Sequence, residues 1–261
     1  MNKLMSGLAG LVGLGMVLAP AAANDVEIEG GQTSVVLNFD ALAAAASLEL
    51  SGVSGDVIAP GSLDGSVAFG ITPRTAGDLP TTFAYDATDF FGTFGGTIEH
   101  RGSVFFNDGT VEVGNFTIGF DAARVGTLDG NASGFYVEST AGVSAILFDV
   151  ANPSVLFASS LEAVVGADLL VSPEFAGFLL SIEFAEADLT GVAVGEALVE
   201  GDTGCSAADF NDDGYLNFFD IISFVRAAVK QKPSADLDGS GMFDYRDLQQ
   251  FVERYLSCRW G

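Results

Sequence analysis

Short apolar runs separated by turn residues make up most of the chain between residues 24 and 200. The runs are rich in Val, Ile, Phe and Thr, and Gly, Asp, Asn and Pro stand between them. This alternation predicts a mainly β domain, an antiparallel sandwich or barrel. The predicted strands cover residues 35–39, 66–72, 81–85, 97–101, 116–120, 134–138, 145–149 and 154–158.

Three local patterns add detail to this domain. Residues 103–113 predict a hairpin, because Asp108 and Gly109 suit a two-residue turn and Gly readily takes the positive φ that such a turn requires. A helix is expected to begin after Ser172, which can cap it with Pro173 at the first helical position, and to run to residue 180. Residues 40–46 fit either a short helix or a strand of small residues.

The pattern changes beyond residue 200. Residues 200–204 predict a linker, and two amphipathic helices follow at residues 221–230 and 248–256, with apolar side chains at helical spacing. Each helix is preceded by twelve residues rich in side-chain oxygen atoms. We therefore divide the chain into residues 1–23, a β-rich domain at 24–200 and a small all-α module at 201–261.

The two oxygen-rich segments match the calcium-loop template. Ligands of that template fall at positions 1, 3, 5, 7, 9 and 12, and Gly at position 6 permits the sharp turn around the ion. Both segments satisfy it, so two Ca²⁺ ions are expected; the alternatives are degenerate loops or purely structural calcium. The predicted ligands are Asp209, Asn211, Asp213, Tyr215, Asn217 and Asp220 in the first loop and Asp236, Asp238, Ser240, Met242, Asp244 and Asp247 in the second.

The C-terminal module resembles a dockerin. It has a duplicated loop and exiting helix, Asp at position 12 of each loop, and no helix entering the first loop. The resemblance covers residues 205–261 only. It implies a calcium module that docks onto a cohesin-like domain in bacterial extracellular assemblies. It also implies partner-facing residues at positions 10 and 11 of each loop, namely Phe218, Phe219, Tyr245 and Arg246. The alternative for Phe218 or Phe219 is a place in the core.

The cysteines and the first residues point to export. Cys205 and Cys258 bracket the small module, and an even cysteine count in an exported protein predicts a disulfide. Residues 1–23 contain one lysine, an apolar run and a final Ala-Ala-Ala, which predicts a secretory signal cleaved after Ala23. We expect a secreted bacterial protein, extracellular or associated with the cell surface, with no membrane span after cleavage.

Charge narrows the range of partners. The chain has a formal charge of −25, and residues 24–203 hold 26 acidic residues against three arginines and no lysine. Such a surface repels phosphate backbones and anionic lipids, so nucleic acid and membrane surfaces are not expected partners.

The large domain offers little catalytic chemistry. His100 is the one histidine in the sequence, and residues 24–203 contain no Cys or Trp, two Tyr and 16 Phe. Sugar-binding platforms favour Trp and Tyr. We expect a non-catalytic domain displayed through its calcium module. The alternative is a polysaccharide hydrolase or carbohydrate-binding module delivered by a dockerin. With so many acids in the domain, two of them could form the carboxylate pair of a glycosidase.

Overall fold

The computed structural model describes residues 26–159, 161–211, 213 and 215–259, so the predicted signal segment lies outside the described residues. Within these residues the protein is mainly β, and twelve strands form one antiparallel, barrel-like sheet. The strands are β1 (Val26–Leu37), β2 (Leu50–Val53), β3 (Val57–Ile58), β4 (Val67–Gly70), β5 (Ala84–Tyr85), β6 (Ile98–Glu99), β7 (Ser103–Phe106), β8 (Val111–Phe120), β9 (Ala132–Gly142), β10 (Ala145–Ala158), β11 (Glu162–Val171) and β12 (Ala193–Thr203). The helices are α1 (Phe39–Ala46), α2 (Phe90–Thr93), α3 (Thr127–Gly130), α4 (Pro173–Ser181), α5 (Phe218–Val229) and α6 (Tyr245–Arg259).

The sheet nearly closes on itself. Its strand order is β2-β7-β8-β9-β10-β11-β12-β1-β4-β3, with β5 paired to β1 and β6 to β8. A bridge between Ile71, just after β4, and His100, just after β6, joins the two sides of the path. Because β6 also pairs with β8, hydrogen bonds run around a ring of strands at this level.

The ring encloses an apolar interior that helices cover at one end. Leu42 and Ala46 of α1 and Phe175 and Leu179 of α4 are buried against residues of the strands. Near the other end, Phe90 of α2 packs with an aromatic cluster around β5. Burial of these side chains is the main stabilising term for a sheet of this kind.

The predicted cap of helix α4 is confirmed. The Ser172 hydroxyl accepts a hydrogen bond from the Phe175 backbone N–H at 3.0 Å, and Pro173 occupies the first turn of α4. Residues 40–46, which fitted either helix or strand, are helical in α1, and the Asn38 side chain caps that helix.

Three strand predictions need correction. Phe39 begins α1 instead of ending a strand, because the Asn38 cap diverts the chain. The hairpin pairs Phe106 with Val111, so its connection has four residues, 107–110, instead of two. Residues 145–149 and 154–158 belong to one strand, β10, in which the ladder with β11 shifts register between Ala151 and Ser154.

The small C-terminal segment contains the two predicted helices, each starting three residues earlier than expected. The predicted linker is wrong over residues 200–203, because they continue β12 in its ladder with β1. The predicted Cys205–Cys258 disulfide is present. Phe224 of α5 and Phe251 of α6 stack with ring centroids 4.1 Å apart, at the centre of a separate apolar cluster.

In the part of the chain that the structure describes, no helix combines the length and apolarity that crossing a bilayer requires.

His100 lies where the ring closes and is almost completely buried. Its Nδ1–H can donate to the Phe116 carbonyl oxygen at 2.9 Å, which leaves Nε2 to accept from the Thr33 hydroxyl at 2.7 Å. Both ring nitrogens are thus satisfied by the neutral form. Burial lowers the pKa of His100 from 6.5 to about 4.

We predict that His100 makes the β domain acid-sensitive. Between pH 6.5 and about 4 the unfolded chain binds a proton at this residue and the folded chain does not. Stability is therefore lost as the pH falls through this window, by up to roughly 3 kcal/mol. Urea unfolding of wild type and His100→Gln at pH 7.5 and pH 4.5 measures the effect. If both variants lose the same stability on acidification, the assignment to His100 is wrong.

Candidate metal centre

The second predicted calcium loop brings three carboxylates together. One oxygen each from Asp236, Asp238 and Asp247 lies within 4.8 Å of the others. Backbone N–H groups hold these side chains: Ser240 donates to Asp236 at 3.0 Å and to Asp238 at 2.9 Å. Gly241 donates to the second oxygen of Asp236 at 2.7 Å. The loop therefore folds around its own acidic side chains.

The first loop repeats the same hydrogen-bond pattern. Asp213, at position 5, donates its backbone N–H to Asp209 at position 1 (3.2 Å) and to Asn211 at position 3 (3.3 Å). Asn217 at position 9 accepts from the N–H at position 11, as Asp244 does in the second loop. At their described positions, two segments 27 residues apart thus share these hydrogen bonds, as their common spacing predicts.

The position-12 carboxylates anchor each loop from its centre. Asp220 accepts from the N–H groups of Asn211 and Asn217, and Asp247 accepts from those of Asp238 and Asp244. Both side chains are fully buried. Burial raises the pKa of Asp220, whereas the hydrogen bonds, that from Asp244 foremost, lower the pKa of Asp247.

This donor set suits a hard divalent cation. All the ligand atoms are oxygens, from carboxylates, amides, a hydroxyl and carbonyls, which is the set that Ca²⁺ takes in flexible loops. Three like charges this close repel one another, and a cation between them would turn that repulsion into attraction. The donor set therefore fits calcium, with Asp236, Asp238 and Asp247 the best-placed charged ligands.

The residues at loop positions 8, 10 and 11 differ in what they contact. Leu216 packs against the small core, and the ring of Phe243 lies 6.0 Å from that of Phe224. Position 8 thus contacts the helices in both loops, although Phe243 stays 37% exposed. Phe218, Phe219, Tyr245 and Arg246 are exposed, so the alternative that Phe218 or Phe219 belongs to the core is wrong.

We predict that calcium stoichiometry follows the two position-12 residues. Calorimetric titration of the chelator-treated chain should give two sites for wild type and one for either Asp247→Asn or Asp220→Asn, because each change removes a central charge. Glu253→Gln alters an acid of α6 outside the loops and should leave two sites. Fewer than two sites in wild type, or two in either Asp→Asn variant, would contradict the paired-loop interpretation.

A second charged cluster, in the β domain, was not predicted from the sequence. The Arg124 guanidinium donates two hydrogen bonds to Asp149, at 2.7 and 2.8 Å, and two to Glu174, at 2.7 and 3.0 Å. Asp149 is fully buried on β10, whereas Glu174 is half exposed in the first turn of α4. The hydrogen bonds from Arg124 lower the pKa of Glu174. Residues 50 apart in sequence gave no local signal of this contact.

This cluster has the geometry of a structural ion network. One arginine bridges both carboxylates, and one of the two, Asp149, is buried. The arginine fastens α4 and the 3₁₀ turn at Ala122–Arg124 to β10.

Removing the arginine should destabilise the β domain strongly. Arg124→Met leaves the Asp149 carboxylate buried without its cation, for which a loss of roughly 3–5 kcal/mol in the free energy of unfolding is typical. Glu174→Gln removes only a half-exposed partner and should cost less than about 1 kcal/mol. Chemical denaturation of both variants tests this contrast; similar losses in the two would show that burial of Asp149 does not govern the cluster.

Comparison with known proteins finds a likeness among solved structures. No protein-family model and no curated protein matches the sequence. A solved structure, the C-terminal domain of HtaA from Corynebacterium glutamicum, aligns with a TM-score of 0.40 and 16% sequence identity, covering 68% of this chain and 99% of that one. These values are too low to transfer a function.

Proposed function

We propose that this protein is a secreted, calcium-binding protein whose dockerin-like C-terminal module attaches a non-catalytic β domain to an extracellular protein. The observation that carries the proposal is a matched pair of exposed apolar stripes, one on α5 and one on α6, each starting at a calcium loop.

The two stripes occupy equivalent positions on the two helices, 27 residues apart, as the two loops are. On α5 the exposed side chains are Phe218, Val225 and Val229; on α6 the equivalent positions, 27 residues later, are Tyr245, Val252 and Leu256. Steps of seven and four residues place each set on one face of its helix. Their exposed fractions run from 41% for Val252 to 79% for Val229.

The stripes are distinct from the faces that form the small core. Phe224 and Phe251 stack between the helices, and Ala227, Ala228 and Tyr255 are buried beside them. Each helix therefore has two apolar faces and uses one for folding. Apolar surface that folding leaves uncovered is typical of a protein–protein contact.

The charge of the module favours an apolar contact of this kind. Residues 204–261 hold nine acidic and six basic residues, and two Ca²⁺ ions would bring their sum close to zero. The β domain, by contrast, carries nearly all of the net negative charge. A near-neutral module can approach a partner without the long-range repulsion that the β domain would impose.

Cohesin-like domains are the partner class that the dockerin resemblance implies, and they define the test. The calcium-loaded full chain should bind at least one member of a panel of immobilised cohesin-like domains in surface plasmon resonance, and chelator should abolish binding. Val225→Lys/Val252→Lys places charges in both stripes and should weaken binding at least roughly tenfold, since central apolar contacts dominate interfaces.

Glu253→Lys is the matched control, because it adds a lysine to α6 beside the stripe instead of within it. Binding that survives the double substitution, or that Glu253→Lys weakens equally, would contradict docking through the stripes. Absence of binding across the panel would overturn the cohesin-like partner. Calcium-loaded dimers in sedimentation equilibrium, lost in the double variant, would assign the stripes to self-association instead.

A further inference from the structure

The β domain contains an apolar hollow that neither the calcium module nor its docking explains. Two cavities lie inside the sheet, with volumes of about 80 Å³ and about 70 Å³. A single water molecule needs about 10–15 Å³ on this measure. The cavities share four wall residues and therefore adjoin: Ile118, Val137, Leu169 and Ala197.

The walls offer almost no polar surface to a guest. Apart from His100 and Thr33, the side chains lining both cavities are apolar. Those two residues bond to each other at 2.7 Å, and the second ring nitrogen of His100 pairs with the Phe116 carbonyl. Since water needs two to four polar partners to stay, a hollow with such walls favours an apolar occupant.

Small residues on two neighbouring strands keep the interior open. Ala163 pairs with Gly201, and Ala167 pairs with Ala197, across the β11–β12 ladder. All four line the second cavity, among walls otherwise built largely from Val, Ile, Leu and Phe. Interiors of proteins are normally filled to crystal-like density. The Ile28 side chain already packs over Gly201, so the pair that leaves space a larger side chain would fill is Ala167 opposite Ala197.

The hollow has a covered end and an accessible end. Leu42 of α1 and Phe175 of α4 line the first cavity and are buried. At the other end, Phe91 of α2 lines the second cavity and is 46% exposed. A slender molecule would therefore enter beside α2 and extend past the shared walls toward α1 and α4.

The negative charge around the accessible end favours a neutral apolar molecule over an anionic one. All three arginines of the β domain are committed to carboxylates: Arg74 to Glu27, Arg101 to Asp78, and Arg124 to Asp149 and Glu174. The exposed Asp89 caps α2 directly beside Phe90 and Phe91. A carboxylate head group would meet negative charge at this mouth, and each of the three arginines in the described part of the β domain already pairs with a carboxylate.

We propose that the β domain binds a neutral, slender apolar molecule, with an alkyl or similar chain, along the two adjoining cavities. This site is independent of calcium and of the docking stripes.

Binding is measured with the full chain and the neutral dye N-phenyl-1-naphthylamine, whose fluorescence rises in apolar sites. Saturable binding of one dye per chain is expected. Dodecan-1-ol should displace it, and dodecanoate at pH 8 should require at least tenfold higher concentration, because both have the same chain and only the second is charged.

Two substitutions fill the hollow at different points. Ala197→Leu fills the shared wall and Ala167→Leu the second cavity, and each should weaken dye binding at least tenfold while the thermal midpoint stays within a few degrees of wild type. Ala193→Leu is the matched control, since this alanine of β12 is exposed, and it should bind dye normally. Having two filling variants keeps the test decisive if one fails to fold.

The docking stripes are the competing dye site, and Val225→Lys/Val252→Lys separates the two. Dye binding that persists in this double variant and vanishes in the filling variants supports the proposal. The opposite result overturns it, as does the absence of saturable binding by wild type. Equal displacement by dodecan-1-ol and dodecanoate would overturn the preference for a neutral ligand.

Discussion

The pairing of β1 with β12 constrains the whole β domain. Their ladder runs from Ile28 opposite Thr203 to Leu37 opposite Gly195, so the first strand of the domain is held against its last. With β4 on the other side of β1, this ladder joins the two halves of the sheet and allows it to curve toward closure. Because the paired residues are so distant in sequence, this ladder is the kind of non-local contact that slows the folding of β domains.

The same ladder determines where the small C-terminal segment begins. Residues 200–203 are hydrogen-bonded strand, and Cys205 follows two residues after Thr203. This segment is held together by its own apolar cluster and a disulfide instead of by the sheet. Its apolar cluster, around Phe224 and Phe251, is small, and the Cys205–Cys258 disulfide closes it. Segments of this size commonly need such a crosslink or a metal to supplement their core.

Sequence signals succeeded where the governing interaction is local. Ser172 and Pro173 fix the start of α4 through contacts within one turn. The repeated loop spacing placed Asp220 and Asp247 at equivalent positions, where each accepts backbone hydrogen bonds from its own loop. The signals failed where the interaction is distant. Three features depend on strand register, which no short window of sequence contains. They are the Arg124–Asp149–Glu174 cluster, the Ile71–His100 bridge and the continuity of β10 past Pro153.

The hollow illustrates the same limit. Phenylalanines at strand spacing normally pack against one another, and many here do so. Whether space remains depends on which small residues meet across a ladder, and Ala167 opposite Ala197 cannot be paired before the β11–β12 register is known. Apolar surface is thus turned inward in the β domain and outward on α5 and α6, so a guest in one and a partner on the other would not compete for the same residues.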